Sequence, residues 1–249
     1  MMSAHLSYPI KVLGQPALLL DEVTLAVADV HVGFEQELAM RGINIPLKTD
    51  ELTARLVKII RETGVRKLLI LGDVKHHVAG PKGVEIFSVP KFFSAVGKEV
   101  DEMHIIRGNH DAGIEAFLPK EAKIHESQGL ASGDFWLAHG TTKLPPEAEG
   151  KSHVIIGHVH SSIRLRDSRG YGYVFQVWLS GRMKLAWKPM LVVMPSFNNY
   201  IGQLLVNEQI DSELRGPLLS KKYIEMGELD VETLDGINLG KLRDLLDTD

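Results

Sequence analysis

Five short strings of this chain carry side chains of the types that bind metal or move protons. They are Asp29 and His31 in ADVH, Asp73 in GDVKH, Asn109 and His110 in GNHD, His139 in AHG, and His158 and His160 in GHVH. Imidazole, carboxylate and amide donors together suit a transition metal such as Mn, Fe, Zn or Co. The chain contains no cysteine, which removes thiolate ligands, cysteine nucleophiles and disulfides together. Any metal must therefore be held by nitrogen and oxygen. Each string alone is weak: Gly-Asn favours a turn, GD after an apolar run opens many loops, and a single His139 is more often a satisfied half-buried histidine. GHVH by itself reads equally well as a surface strand end or as a ligand pair. The joint pattern decides, because the bland reading would have to hold five times over.

What must position these residues is visible next to them. The runs VTLAVAD (23–29), KLLILGD (67–73), EMHIIRGNHD (102–111), DFWLAHG (134–140) and SHVIIGHVH (152–160) are apolar, rich in branched residues and bounded by glycine or polar residues, which predicts buried strands. In an open α/β sheet the crevice outside the carboxyl ends of the strands binds ligands, so strand-end residues far apart in sequence can meet there. TDELTARLVKIIRETG (49–64) places Leu52, Leu56, Ile59 and Ile60 at helical spacing; this predicts an amphipathic helix, with Thr49 or Asp50 as N-cap and Gly64 as C-cap. Residues 83–97, starting at Pro90, and 112–118 are weaker helix candidates. Strands alternating with helices indicate an α/β fold. After residue 160, strand-like runs at 173–179, 183–187 and 190–194 leave no room for helices and predict an antiparallel addition to a sheet. GKLRDLLDTD (240–249) predicts a terminal helix.

The 249 residues are 44% hydrophobic and 24% charged, an ordinary globular balance that suits one main domain. No 18-residue apolar stretch exists, and MMSAHLSYPI has neither a basic nor an apolar leader segment, so a cytoplasmic protein without membrane contact is expected. A formal charge of −4 gives no global attraction to nucleic acid, so a DNA substrate would need a local basic patch. Arg164, Arg166, Arg169 and Arg182 follow GHVH, and Lys143 follows His139. Scattered cations of this kind read first as a solvated face.

Taken together, DVH at 29–31, GDVKH at 72–76, GNHD at 108–111, His139 and GHVH at 157–160 resemble the calcineurin-type metallophosphoesterase signature, with its elements in order. ADVHVGFE, the GINIP loop (42–46), GDVKH and MPSFNNYIG (194–202) are similar to the archaeal SbcD-like and DNA-ligase-associated phosphoesterases. The resemblance implies a four-layer α/β/β/α sandwich of two mixed β-sheets flanked by helices over residues 1–205, with 206–249 a C-terminal extension packed on the same domain. It implies two divalent ions, manganese foremost. One would take Asp29, His31, Asp73 and His160, and the other Asp73, Asn109, His139 and His158, with Asp73 bridging. It makes His110 the histidine that stabilises the transferring phosphoryl group or protonates the leaving oxygen, with Asp111 and His76 orienting its ring. Many members carry aspartate where this chain has His76, and the nuclease-like branch carries histidine.

The implied activity is hydrolysis of P–O bonds by a metal-bridging hydroxide, on phosphodiesters and nucleic acid, DNA or RNA, foremost. Two divalent ions about 3.5–4 Å apart clamp the attacking and leaving oxygens of an in-line displacement, and a carboxylate between them screens their repulsion. Two carboxylates against two divalent ions leave a net charge of about +2, which attracts phosphate into an acidic protein. A phosphomonoesterase or a small cyclic-nucleotide diesterase shares this ligand set. A non-catalytic scaffold subunit of a repair complex is the reading from another class, opposed by every ligand position being filled. A helicase, ligase or ATPase partner stays open, as does the oligomeric state. Phe34 and the 42–46 loop are expected to line the substrate cleft, and His77 to face solvent at its rim.

Overall fold

The computed structural model describes residues 8–120, 122–208 and 215–246. The first three apolar runs become neighbouring strands of one sheet. Its six strands, in spatial order, are β1 (Ile10–Lys11), β2 (Ala17–Leu19), β3 (Thr24–Val27), β4 (Lys67–Leu71), β5 (Glu102–Ile106) and β6 (Ala122–His125). β1 to β3 pair antiparallel and β3 to β6 parallel. Parallel strands covered on both faces are apolar throughout, and Leu68 to Leu71 are all fully buried. On one face of the sheet Leu25, Val27, Leu68, Ile70 and Ile105 pack against α2 (Thr49–Thr63) and α3 (Glu85–Val96). A short α1 (Glu35–Met40) precedes them.

The second sheet has nine strands: β7 (Leu130–Ser132), β8 (Phe135–Ala138), β9 (His153–Ile156), β10 (Ser161–Arg166), β11 (Gly172–Arg182), β12 (Met190–Val193), β13 (Leu204–Leu205), β14 (Asp230–Thr233) and β15 (Asn238–Lys241). It too is mixed. The order β13-β10-β11-β12-β9-β8-β7 contains parallel pairs at β8/β9, β9/β12 and β10/β13, with β14 added on β11 and β15 on β14. The sheets pack face to face. Ala26, Ala28, Leu69 and Leu71 of the first meet Phe135, Leu137, Ile155 and Trp178 of the second. The outer face of the second sheet is covered by Leu218, Leu219, Tyr223, Ile224 and Leu242, from 3₁₀ turns and irregular chain. The sandwich of two mixed sheets is thus as the resemblance implies, and among the described residues 3₁₀ turns and irregular chain cover the outer face of the second sheet.

Several local expectations are corrected. α2 begins at Thr49 after Lys48, with no side-chain cap; the Lys48 amide donates instead to the Glu35 carboxylate of α1. Gly64 does end the helix in the left-handed region, φ 69°. α3 starts at Glu85 and runs through Pro90; burial of Val89, Phe92, Phe93 and Val96 carries it past the hydrogen bond that proline removes. Residues 112–118 hold only a 3₁₀ turn, Ile114–Phe117. β10 was not foreseen. The run 183–187 is not a strand, because the amides of Met183 and Lys184 bond to Pro189 and Tyr223 carbonyls in a loop. β12 pairs antiparallel with β11 but parallel with β9. In place of the terminal helix, Gly240 and Lys241 finish β15 and Leu242–Leu245 form a 3₁₀ turn; residues 247–249 lie outside the described residues. No helix among the described residues is long and apolar enough to cross a membrane.

Candidate metal centre

The carboxyl ends of β3, β4 and β5 in one sheet open toward those of β8 and β9 in the other, and the five strings meet there. Just past the strands the backbone turns sharply. Asp29, His31, Asp73, His158 and His160 all have positive φ, from 46° to 69°, and the only other such non-glycine among the described residues is Lys188. Aspartate and histidine enter this region more readily than most residues, yet each such position costs about 1–3 kcal/mol and such strain collects at functional sites. The glycines beside the ligand-type residues have a related cause. A Cβ on Gly72 would lie 2.5 Å from the His139 ring, one on Gly108 2.1 Å from Asp73 Oδ1, and one on Gly157 2.8 Å from Asp29 Oδ2. Each glycine clears space for a side chain arriving from another strand.

Donor atoms of Asp29, His31, Asp73 and His160 lie within 4.8 Å of one another, as do those of Asp73, His139 and His158, so Asp73 belongs to both groups. Asn109 Oδ1 lies 3.1 Å from His139 Nε2 and extends the second group. His31 Nε2 and His160 Nε2 are 3.2 Å apart, and His139 Nε2 is 3.3 Å from Asp73 Oδ2. The histidine tautomers follow from their outer partners. His139 Nδ1 donates to the Leu71 carbonyl at 2.8 Å and His160 Nδ1 to that of Gly202 at 3.0 Å, which leaves both Nε2 lone pairs facing the carboxylates. Asp29, His31, Asp73 and His139 are buried at the floor. The cleft above them, about 390 Å³, is lined by Asn109, His110, His158, His160 and Gln203.

The charge balance tests whether a metal fits. Asp29 and Asp73 are buried, and among the described residues their ion-pair partners are histidines. Burial acts to lower the pKa of His139, but Asp73 and then Asp29 overcome it and push it up to about 9. Burial likewise opposes a proton on His160, and Asp29 raises its pKa nonetheless. Burial would raise Asp73, yet His139 and His31 hold it well below the usual carboxylate range. His158, desolvated and beside His139, falls to about 4, and burial first of all lowers His31. Protons on His139 and His160 thus stand where cations belong, and two buried carboxylates among nitrogen and oxygen donors fit divalent ions.

Four residues that sequence reasoning missed hold the strings in place. Glu85 of α3 is buried and accepts the amides of His76 (2.9 Å), His77 (2.6 Å) and Lys82 (3.0 Å). Lys75 is fully buried and donates to the carbonyls of His77 and His110. Asn198 reaches the Val30 carbonyl at 3.0 Å, so MPSFNNYIG clamps the first string. Glu37 of α1 lies 2.6 Å from His76 Nε2, while His76 Nδ1 lies 3.2 Å from His31 Nδ1. The only sequence signals were a lysine inside GDVKH and the repeated asparagine of SFNN.

The expected partners of the His110 ring are placed differently. Asp111 accepts the amides of Asp73 (2.8 Å), Val74 (2.9 Å) and Gly108 (2.8 Å), so it shapes two loops and leaves the ring alone. His76 meets His110 through its carbonyl, which accepts from His110 Nδ1, and its own ring serves His31. His110 Nε2 stands 3.9 Å from Asp73 Oδ2. Phe34 is buried and stacks on Tyr200, centroids 5.9 Å apart, so it supports the cleft from behind. His77 is exposed, its Nδ1 3.2 Å from the Gly80 carbonyl. Arg164 pairs with Glu208, and Arg182 donates to the Lys188 carbonyl.

The chain is similar in structure to the nuclease MPE of Pseudomonas putida, with a TM-score of 0.56 and 22% identity over 93% of this chain and 99% of that one. The phosphoesterase YfcE of E. coli matches at a TM-score of 0.41 and 15% identity, over 90% of this chain and 99% of that one. No curated protein matches the sequence. Residues 24–176, well over half of the chain and all five strings, match the family model described as the calcineurin-like phosphoesterase superfamily domain, and the chain belongs to that superfamily.

Proposed function

We propose that this protein hydrolyses phosphodiesters, nucleic acid among them, at a pair of divalent ions, manganese foremost. The observation that carries the reading is the pair of donor groups sharing Asp73, with His110 at the edge of the same cleft. Asp29, His31, Asp73 and His160 would hold one ion, and Asp73, Asn109, His139 and His158 the other. When bound, such a pair lowers the pKa of a water toward neutrality and clamps the attacking and leaving oxygens.

The chain's own residues do the rest. The buried floor excludes bulk water and fixes the donors. His110, with Nδ1 donating to the His76 carbonyl, presents Nε2 to the cleft. Protonated there, it donates to the phosphoryl group and then to the departing oxygen. Overall the water oxygen forms a bond to phosphorus, the ester P–O bond breaks, and the leaving oxygen takes the His110 proton, which the spent water returns. No side-chain nucleophile is required.

Similarity to a nuclease supports the diester reading, and histidine at position 76 supports the nuclease-like branch. The test is a parallel assay of the manganese-, zinc- and magnesium-reconstituted protein on a chromogenic diester, the matching monoester, and single- and double-stranded DNA. Diester or DNA hydrolysis that falls about 10²–10⁴-fold in His110→Ala is expected. Turnover of the monoester alone would move the assignment to a monoesterase, and inactivity on all of them would leave the scaffold reading.

A further inference from the structure

Beside the metal cleft lies a second cavity of about 350 Å³, and His110 lines both. It sits between α1 and the loop that follows β4. Gly33 and Glu37 form one wall, and His77 and Val78 the other. Met40 and Val78 present apolar side chains to it that are 73% and 53% exposed, although apolar groups of this size gain by burial. Cavities that receive organic ligands begin at about 300 Å³ and are largely apolar with a few polar groups, and this one has that size and character. Glu37 and Glu85 border it, but Glu37 is engaged by Arg41 and His76 and Glu85 by three main-chain amides, so both carboxylates already have partners. The cavity therefore suits an uncharged, ring-sized group.

We infer that this cavity is the leaving-group subsite, and that it takes the base of a nucleoside esterified to the phosphate held over Asp73. The inference rests on the phosphodiesterase reading and adds the substrate's chemical class: a nucleoside at the end of a chain or in a short ester. His110 stands at the boundary, where it meets the ester oxygen that joins phosphate to nucleoside. Gly33 belongs to the same device, because a Cβ there would meet the Glu85 side chain at 2.6 Å and the wall it forms would have to move.

The test compares two ligands that differ only in the base. Adenosine 5′-monophosphate and ribose 5-phosphate are titrated calorimetrically into the manganese-loaded protein, with inorganic phosphate as reference. The nucleotide should bind about tenfold tighter than the sugar phosphate. Met40→Glu and Val78→Glu should erase that difference while the affinity for inorganic phosphate stays within about twofold. Phe87→Glu, at a 78% exposed apolar residue outside the cavity, should keep the full preference. Equal affinity of nucleotide and sugar phosphate for the unaltered protein, or a preference that survives both cavity substitutions, overturns the inference. Absence of diester and DNA hydrolysis in a protein that still prefers the nucleotide overturns the phosphodiesterase reading instead.

Discussion

Glu37 is exposed on a six-residue helix and carries no motif, yet it decides how His31 faces the centre. A carboxylate only accepts, so His76 donates to it from Nε2 and keeps Nδ1 as an acceptor. His31 must then donate from Nδ1 and turn its Nε2 lone pair toward Asp73 and His160. Outer partners of this kind are worth about 10–100-fold in metal affinity. Glu37→Ala should weaken the ion held with His31 and His160 by that factor and leave the ion beside His139 and His158 unchanged, as read by calorimetric titration with manganese. A uniform loss at both ions, or none, would defeat the relay. The two histidines of GHVH separate in the same way: His160→Ala should lose the Asp29-side ion and His158→Ala the Asn109-side ion, read as stoichiometry by elemental analysis. Ligand-type residues were legible because type, strand end and repetition coincide in the sequence. Glu37, Glu85, Lys75 and Asn198 were not, because they act through main-chain groups and neighbours up to 168 residues away, and no spacing records that.

At the scale of elements, the strand ends are held apart by what their glycines omit. A Cβ on Gly157 would meet the Ala28 Cβ at 2.6 Å as well as the Asp29 carboxylate, so the turns after β3 and β9 can approach only across glycine. Gly157→Ala should destabilise the fold by about 1–3 kcal/mol, the usual cost of overpacking, and a urea midpoint equal to that of the unaltered chain would refute the tight approach. The strands that carry ligands were readable because burial on both faces makes them unbroken apolar runs. β10 was missed because four of the six residues of Ser161–Arg166 are polar; Ser161 and Ser162 are buried with their hydroxyls bonded to Val177 and Gln203. The predicted C-terminal helix failed for a tertiary reason. Lys241 pairs with Asp230 across β14/β15, and the Leu242 amide bonds to the Leu229 carbonyl, which draws the segment onto the sheet.

For the whole molecule, the centre is a charge account shared by two sheets, and its sign can be read in stability. His139 binds its proton more tightly in the fold, at about 9 against an ordinary 6.5. Its contribution is therefore fully present below about pH 6.5 and lost as pH rises through 9. His158 is the reverse: it falls to about 4, so its contribution is present above about pH 6.5 and lost as pH falls through 4. The metal-free protein should melt highest near pH 6.5. Metal loading replaces the His139 proton, which should flatten the alkaline decline and add about 2.7 kcal/mol at a hundredfold excess over Kd. Melting temperatures from pH 4 to 9.5, with and without a chelator, check both limbs, and a metal-free midpoint that climbs steadily to pH 9 contradicts this account. Each donor group draws on both sheets, and Asp29 lies 129 positions ahead of His158, whose amide it accepts. On the ribosome the first donors are therefore made long before their partners, so metal can be captured only once both sheets have closed. The cluster can therefore assemble only as the two sheets close on each other, so its completion reports that closure.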